Sequence, residues 1–328
     1  MPNIRQPRSG SLQFWPRKRS KRKIPRVRSQ VDSKDLKITG FAGYKVGMTH
    51  LQGIETNKYS HKKGDEISVP VTIIECPPLK IATIRLYKKE GLKLVLKKEI
   101  ILSKDKNLGK IITLPKKDQK SKLEKLNPEN YDEVRVLLFT QPHLTTTGQK
   151  KPDVLELNVG GSSVEEKINF VKENIDKAIL LNTIYQEGDM TDIKSITRGK
   201  GFQGPVKRFG ITIRARKSEK AIRNPGSLGP WCGQGHIMWR VAHAGKMGYH
   251  QRTEYNKQVI KVIENPEEIN QKGGMLKYGV IKNPVILVKG SVGGPRKRMI
   301  LLQNASRTKK KISLPTIEKV NLDSKQGN

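Results

Sequence analysis

Three glycines, Gly199, Gly201 and Gly204, have the spacing G-x-G-x-x-G, which in some folds forms a loop around a dinucleotide pyrophosphate. Such a site also needs a buried strand before the glycines, a helix after them and an acid about twenty residues further on. DIKSIT before them looks too polar for a buried strand, ITIRAR after them alternates like a strand, and the next acid is Glu219. The favoured interpretation is a backbone left bare to lie close to some other phosphate, with a flexible loop or a cofactor loop as alternatives.

Cys232, His236, His243 and His250 raise the question of a metal or a catalytic thiol. They follow one another at intervals of four, seven and seven residues. Structural zinc sites use two closely spaced ligand pairs, and only the first interval fits. A Cys–His nucleophile would lack an evident third group to orient it. We therefore predict no metal, no cofactor, no small-molecule substrate and no catalytic residue, and we interpret the histidines as contacting nucleotides or filling space.

Charge is the dominant property of the composition. The 328 residues contain 65 Lys and Arg against 30 Asp and Glu, a net charge of +35. Residues 1–30 contain ten Lys and Arg and no acid, and residues 194–257 contain fourteen with two acids. Such concentration indicates contact with nucleic acid and argues against a free enzyme. The two cysteines fit a reducing cytoplasm, and the sequence contains no apolar run that predicts a membrane span.

The apolar pattern predicts a mainly β protein with an α/β insertion. Short segments rich in β-branched residues follow Lys37, among them SVPVTIIE, KIATIRLYKK and LKLVLKKEIIL, and strand-like segments return after Lys257. Between them, KKDQKSKLEKL predicts a short helix and EVRVLLF a buried strand. Ser163 and Glu166 have capping-box spacing before the clearest helix. We expect a β-barrel whose chain leaves for the insertion and returns.

The predicted organisation has four parts. An extended basic arm, which we expect to become ordered only on a partner, precedes the first part of the barrel; a glycine-rich basic extension and the barrel's completion with a basic carboxyl-terminal segment follow. The boundaries are 1–36, 37–193 with the insertion at about 80–180, 194–257, and 258–328.

Two tryptophans of the extension and one of the arm stand out. Trp231 lies on a turn punctuated by glycine and proline, LGPWCGQG, so we interpret it as a tip residue that wedges into a partner. Trp239 lies in the more apolar IMWRVA, and local packing and stacking on RNA remain equal alternatives. Trp15 stands beside the arm's cluster KRSKRK, which suits a chain threading between RNA helices, although a nuclear-localisation run or a solvated tail are alternatives.

Five segments together resemble the universal large-subunit ribosomal protein L-three family in its archaeal and eukaryotic form. They are RSGSLQFWPRKRSKRKIPRVRS, GFAGYKVGMTH, GKGFQGPVKRFGI, LGPWCGQGHIMW and GYHQRTEYNK, and the resemblance continues in order to KGSVGGPRKR. The resemblance implies a translation-factor-like β-barrel whose arm and loop reach through ribosomal RNA. It also implies that Trp231 approaches the peptidyl transferase centre.

We therefore predict a non-enzymatic constituent of the large subunit in the cytoplasm, with large-subunit rRNA and neighbouring ribosomal proteins as partners. An architectural DNA-binding protein and a nucleotide-dependent enzyme are the alternatives. The predicted rRNA-binding residues are Arg17, Lys18, Arg19, Lys21, Arg22, Lys23, Arg26, Arg28, Lys200, Gly201, Lys207, Arg208, Arg214, Arg216, Arg223, Arg240, Lys246, His250, Arg252 and Lys257.

Overall fold

The computed structural model describes residues 9–117, 119–228, 235, 237–307 and 312–323. Its strands are β1 (Gly40–Ile54), β2 (Glu66–Glu75), β3 (Lys80–Glu90), β4 (Lys93–Ile101), β5 (Glu133–Phe139), β6 (Val154–Asn158), β7 (Met190–Ile196), β8 (Phe202–Gln203), β9 (Gly245–Lys246), β10 (Gln251–Ile263), β11 (Val285–Lys289), β12 (Met299–Asn304) and β13 (Thr316–Val320). The α-helices are α1 (Ser121–Glu124), α2 (Val164–Asn174) and α3 (Pro205–Phe209). Single 3₁₀ turns occur at Leu108–Lys110, Pro128–Asn130, Pro142–Leu144, Leu181–Thr183 and Pro266–Glu268.

Six antiparallel strands pair in a closed ring. The order β1-β2-β11-β10-β7-β12 returns to β1, and β13 pairs with the far end of β1. The strand β1 closes the ring because it pairs with β2 and, over Gly40–Tyr44, with β12; its 15 residues leave Leu51–Ile54 to pair with β13. Buried Phe41, Ile73, Val259 and Leu301 contribute to the core. The prediction of a mainly β fold is confirmed, and the ring of pairings agrees with the expected barrel.

The insertion is a second sheet with one helix. Its order is β4-β3-β5-β6, all antiparallel. Ser163 caps α2, its hydroxyl accepting from the Glu166 N–H while the Glu166 carboxylate accepts from the Ser163 N–H, as the sequence predicts. At the root of the insertion, Leu79 and Ile179 exchange two backbone hydrogen bonds of 3.0 and 2.8 Å. The chain thus leaves and re-enters the barrel at one place.

Three local predictions differ from the structure. DIKSIT, judged too polar for a buried strand, supplies most of β7, whose residues from Thr191 to Ile196 are all buried. ITIRAR forms no strand, since no strand among the described residues pairs with it. The helix predicted over 116–126 is limited to the four residues of α1. EVRVLLF coincides with β5.

The chain divides into two units. The smaller contains Met1–Lys21 and Thr197–His250, and the larger contains Arg22–Ile196 and Gln251–Asn328. The larger unit therefore includes residues 22–36 of the predicted arm and both ends of the predicted extension, because β7 continues to Ile196 and β10 begins at Gln251. Within the described ranges, no helix combines the length and apolar character needed to cross a membrane.

Candidate nucleic-acid interface

An aromatic cluster joins the arm to the glycine-rich segment inside the smaller unit. The Trp15 ring stacks on Phe209 with 5.2 Å between centroids and 13° between planes. It meets Trp239 edge-on at 5.8 Å. The Arg17 guanidinium lies 4.4 Å from the Phe209 centroid. Each such contact stabilises by about 1 kcal/mol. Residues 9–21 therefore have an anchor within the chain itself.

Arg17 and Arg208 bind each other's backbone. Arg17 Nη1 donates to the Arg208 carbonyl at 2.8 Å, and Arg208 Nη2 donates to the Arg17 carbonyl at 3.1 Å. Arg208 also donates to the carbonyls of His243 at 2.9 Å and Lys246 at 3.2 Å. Desolvation, and then the charge of Arg17, lower the pKa of Arg208, but a guanidinium stays charged in proteins. The guanidinium groups of both arginines therefore donate to backbone carbonyls of this chain.

His250 joins the arm to the last residues of the glycine-rich extension that lie in the smaller unit, next to Gly248. The Gly248 N–H donates to His250 Nε2 at 3.1 Å, so Nδ1 carries the hydrogen and donates to the Lys18 carbonyl at 2.8 Å. The ring is buried. Ser20 N–H adds a bond of 2.8 Å to the Tyr249 carbonyl. Both ring nitrogens of His250 are thus hydrogen-bonded within the chain and hold the arm, and its contact with RNA stays a prediction.

The glycine motif lies in a short antiparallel ladder in which β8 pairs with β9. Lys200 N–H donates to the Met247 carbonyl, and Met247 N–H donates to the Gly201 carbonyl, both at 2.9 Å. Gly201 has a φ of +69° with open space around it. A Cβ on Gly248, at φ +72°, would lie 2.0 Å from the Arg198 carbonyl. Gly201 therefore exposes backbone, whereas Gly248 permits two chain segments to approach closely.

The context of the glycines argues against a dinucleotide loop for a different reason from the one expected. A buried strand does precede them, and the helix α3 does begin at Pro205, so those two arguments were wrong. However, β7 is antiparallel to both of its neighbours, β10 and β12. Dinucleotide folds use parallel βαβ units, and α3 has only five residues, ending at a left-handed Gly210.

The rest of the predicted arm, residues 22–36, is fixed within the larger unit. Arg26 N–H donates to Gln251 Oε1 at 3.0 Å, and Gln251 Nε2 donates to the Arg26 carbonyl at 2.6 Å. Lys23 Nζ lies 3.1 Å from the buried carboxylate of Asp153. The backbone is held while the side chains of Arg26 and much of Lys23 remain in solvent.

Most predicted cations are exposed. Arg17, Arg208, Arg252 and Lys257 are half-buried; Lys257 pairs with Glu254 at 3.2 Å and donates to the Ser291 carbonyl at 2.9 Å. Gly201 is exposed. The exposed cations are Lys18, Arg19, Lys21, Arg22, Lys23, Arg26, Arg28, Lys200, Lys207, Arg214, Arg216, Arg223, Arg240 and Lys246.

Two predicted features fall partly outside the described residues. Trp231 lies there, as do Cys232 and His236 of the possible zinc set. The described ranges contain no group of three or more metal-ligating side chains. Trp239 contacts Trp15 but keeps 65% of its surface exposed, so the structure shows local packing and leaves a free face.

Sequence reasoning missed Phe209 as the residue that organises the smaller unit. It is 6% exposed in a segment that is otherwise mostly in solvent. The available signal was weak: Val206 and Phe209 have helical spacing just after Pro205, a common first residue of a helix.

Comparison with known proteins shows the family of the chain. The family model described as Ribosomal protein L3 matches residues 1–327. The chain is 43% identical over 332 residues to large ribosomal subunit protein uL3 of Methanocaldococcus jannaschii, covering 99% of each chain. The protein of the same name from Methanosphaera stadtmanae is 44% identical with 98% of each covered. That from Archaeoglobus fulgidus is 46% identical with 93% of each covered.

The chain therefore belongs to the ribosomal protein L3 family. This confirms the family resemblance of the five sequence segments. It also confirms the prediction that the chain is not an enzyme, since the family is one of ribosomal proteins.

Proposed function

We propose that the chain is a structural constituent of the large ribosomal subunit, bound to large-subunit rRNA in the cytoplasm. The observation that carries this proposal is the charge of the smaller unit. Its residues 9–21 and 197–250 contain fifteen Lys and Arg and a single acid, Glu219. So few acids cannot neutralise the unit from within, whereas RNA phosphates can, with release of counterions.

The mechanism is electrostatic and steric. Exposed cations of the arm and loop contact phosphates, and the bare backbone at Gly201 approaches RNA closely. Arg17, Arg208 and His250 contribute to binding indirectly, because their hydrogen bonds fix the arm and the loop that carry those cations. In this proposal, the protein supports assembly and shapes RNA near the peptidyl transferase centre, with Trp231 at the tip.

The partners in this proposal are large-subunit rRNA and neighbouring large-subunit proteins. The relatives are named large ribosomal subunit proteins, which supports this choice. No membrane and no small-molecule substrate are part of it. The described helices do not favour a DNA-binding role. A helix-turn-helix needs two adjacent helices, one of them long enough to enter the major groove, and α1 and α3 have only four and five residues.

Sedimentation of cell extract tests the proposal directly. The chain should migrate with the large subunit and be released by RNase or very high salt. A DNA-binding protein would respond to DNase, and a nucleotide enzyme would sediment as a free protein in either case. Migration that does not change with RNase contradicts rRNA as the partner.

A charge test separates the proposed interface from the rest of the surface. Changing Lys200, Lys207 and Lys246 together to Gln should reduce the slope of log Kobs against log salt by about two to three for large-subunit rRNA, since each phosphate contact contributes roughly 0.7–0.9. A matched triple variant uses other exposed lysines, Lys122, Lys125 and Lys150. Equal effects of the two variants would refute a localised interface.

A separate variant tests the proposed tip. Trp231→Ala should impair tRNA handling at the peptidyl transferase centre more than it lowers the thermal stability of the free chain, with Trp231→Phe as the control. Loss of barrel stability with normal translation would contradict the assignment of Trp231.

A further inference from the structure

The turn between β1 and β2 presents a tyrosine completely to solvent. The side chain of Tyr59 is 96% exposed, and no ring contact of it is formed within the described residues. The turn occupies residues 55–65 of the larger unit, outside the arm and the loop. A single exposed aromatic residue is common on protein surfaces. The case for a role therefore depends on how this one is held and surrounded.

Hydrogen bonds hold the turn in one conformation. At its base, Glu55 exchanges backbone bonds with Gly64 (3.0 Å) and Asp65 (3.2 Å). At its tip, the Asn57 side chain accepts from the Tyr59 N–H at 3.1 Å, and the Ser60 N–H donates to the Asn57 carbonyl at 3.1 Å. Because the backbone is already ordered, Tyr59 loses little conformational entropy when a partner covers its ring.

A second contact fixes the turn to the rest of the larger unit. The Thr56 hydroxyl donates to the carbonyl of Leu314, just before β13. Both strands that carry the turn belong to the barrel, and Ile54 pairs with Glu66 at their ends. The turn is therefore a rigid projection on the barrel.

Three lysines lie close to Tyr59 in the sequence of the turn. Lys58 precedes it, and His61, Lys62 and Lys63 follow it; all four are exposed. The tip 58–63 contains no acid, and Glu55 at the base directs Oε1 to the Asn57 N–H at 3.0 Å. The other acid of the turn, Asp65, lies at its carboxyl-terminal end, next to Glu66 of β2.

We propose that this turn is an additional RNA-binding site, in which an unpaired nucleobase stacks on Tyr59 while Lys58, Lys62 and Lys63 contact the flanking phosphates. The chemistry is that of single-stranded RNA recognition, where an aromatic ring binds any base face and lysines follow the backbone. Three lysines without an acid at the tip match the regularly spaced negative charges of a phosphate backbone, so the charge favours RNA. The inference rests on the proposed ribosomal role but concerns a separate surface.

Zero-length photo-cross-linking in intact large subunits tests the site. Subunits isolated from the source cells are irradiated at 254 nm, digested, and searched by mass spectrometry for nucleotide-modified peptides. The expected result is a nucleotide on the peptide containing Tyr59, together with nucleotides on peptides from 197–250. Modification of 197–250 without Tyr59 overturns this inference and leaves the proposed function intact. No modified peptide from either region would overturn both.

Competitive assembly measures how much the ring contributes. Tagged and untagged full-length chains compete for a limiting amount of large-subunit rRNA during reconstitution, and their ratio in the subunits is determined. Tyr59→Ala should be under-represented roughly tenfold against the unchanged chain, the loss expected for one stacked base. Tyr59→Phe keeps the ring and should compete equally. Equal incorporation of Tyr59→Ala, or a chemical cross-link from Tyr59 to another protein in place of RNA, overturns the site.

Discussion

The substitution Phe209→Ala should open the smaller unit. Phe209 is 6% exposed, stacks on Trp15 at 5.2 Å and lies under the Arg17 guanidinium at 4.4 Å. Truncating a buried Phe costs about 3–5 kcal/mol in a full core. The cluster here is small and can partly collapse, so we expect about 3 kcal/mol. That corresponds to an increase of roughly 150-fold in local opening, since about 1.4 kcal/mol is a factor of ten.

Hydrogen exchange of the purified full-length chain, without RNA, measures this opening. The reporters are amides bonded inside the unit, including those of Lys200, Arg208 and Met247, which donate to carbonyls at 2.9 Å. Phe202→Ala is the matched control, because that ring is 73% exposed in the same unit. Protection should fall about 150-fold, or to the level of an unprotected chain, in the first variant only. Equal protection in both variants would refute the role given to the aromatic cluster.

Three further predictions concern single positions. Gly248→Ala should lower the free energy of unfolding of the smaller unit by at least about 1–3 kcal/mol, seen as faster exchange, because its Cβ would lie 2.0 Å from the Arg198 carbonyl at φ +72°. Arg208→Lys keeps the charge but should lower the free energy of unfolding of the smaller unit by about 2 kcal/mol, because Lys lacks the donors that bond to three carbonyls. Its control, Lys207→Gln, should leave hydrogen exchange unchanged and lower only the salt-dependent affinity for RNA. Urea unfolding should lose stability as pH falls through the depressed folded-state pKa of Glu156, and Glu156→Gln should flatten that dependence.

The sign of the acid prediction follows from the environment of Glu156 in the insertion sheet. Burial alone would raise its pKa, but the Tyr87 hydroxyl at 2.7 Å and the guanidinium groups of Arg85 at 2.8 Å and Arg135 at 3.3 Å outweigh burial and lower it. The carboxylate is therefore stabilised in the folded chain. Its contribution is complete above the unfolded-state pKa and disappears as pH falls to the lower folded value. Burial, and then the same hydrogen bond to Glu156, raise the pKa of Tyr87 to about 12.

Local sequence patterns predicted those elements whose stabilising partners are close in sequence. The helix α2 was predictable because Ser163 and Glu166 form a capping box three residues apart. The strand β7 was not, because its polar residues bond to distant segments. Asp192 accepts from the Ser306 N–H at 3.0 Å, and buried Lys194 donates to the Ser29 carbonyl at 3.2 Å. A strand whose polar groups pair so far away looks like a loop in the sequence.

The candidate interface divides in the same way. That the arm and loop are cationic follows from counting, and the exposed lysines and arginines agree with that count. A count of charges could not show which of these cations face inward. Arg17 and Arg208 are 191 residues apart, and Lys18 and His250 are 232 apart, yet in each pair a side chain donates to the backbone carbonyl of the other residue. These pairings depend on bringing the arm and the loop into one unit.

The separation of inward arginines from outward lysines explains how the smaller unit, with a single acid, can fold. The two inward arginines place their guanidinium groups on carbonyl oxygens and aromatic faces, which are partial negative charges that do not appear in a count of acids. The outward side chains, such as Lys200 and Lys207, repel one another and remain in solvent. Phosphates would relieve that repulsion without displacing the inward contacts. RNA binding should therefore further stabilise a unit already folded by its own arginines, instead of creating one from a disordered chain.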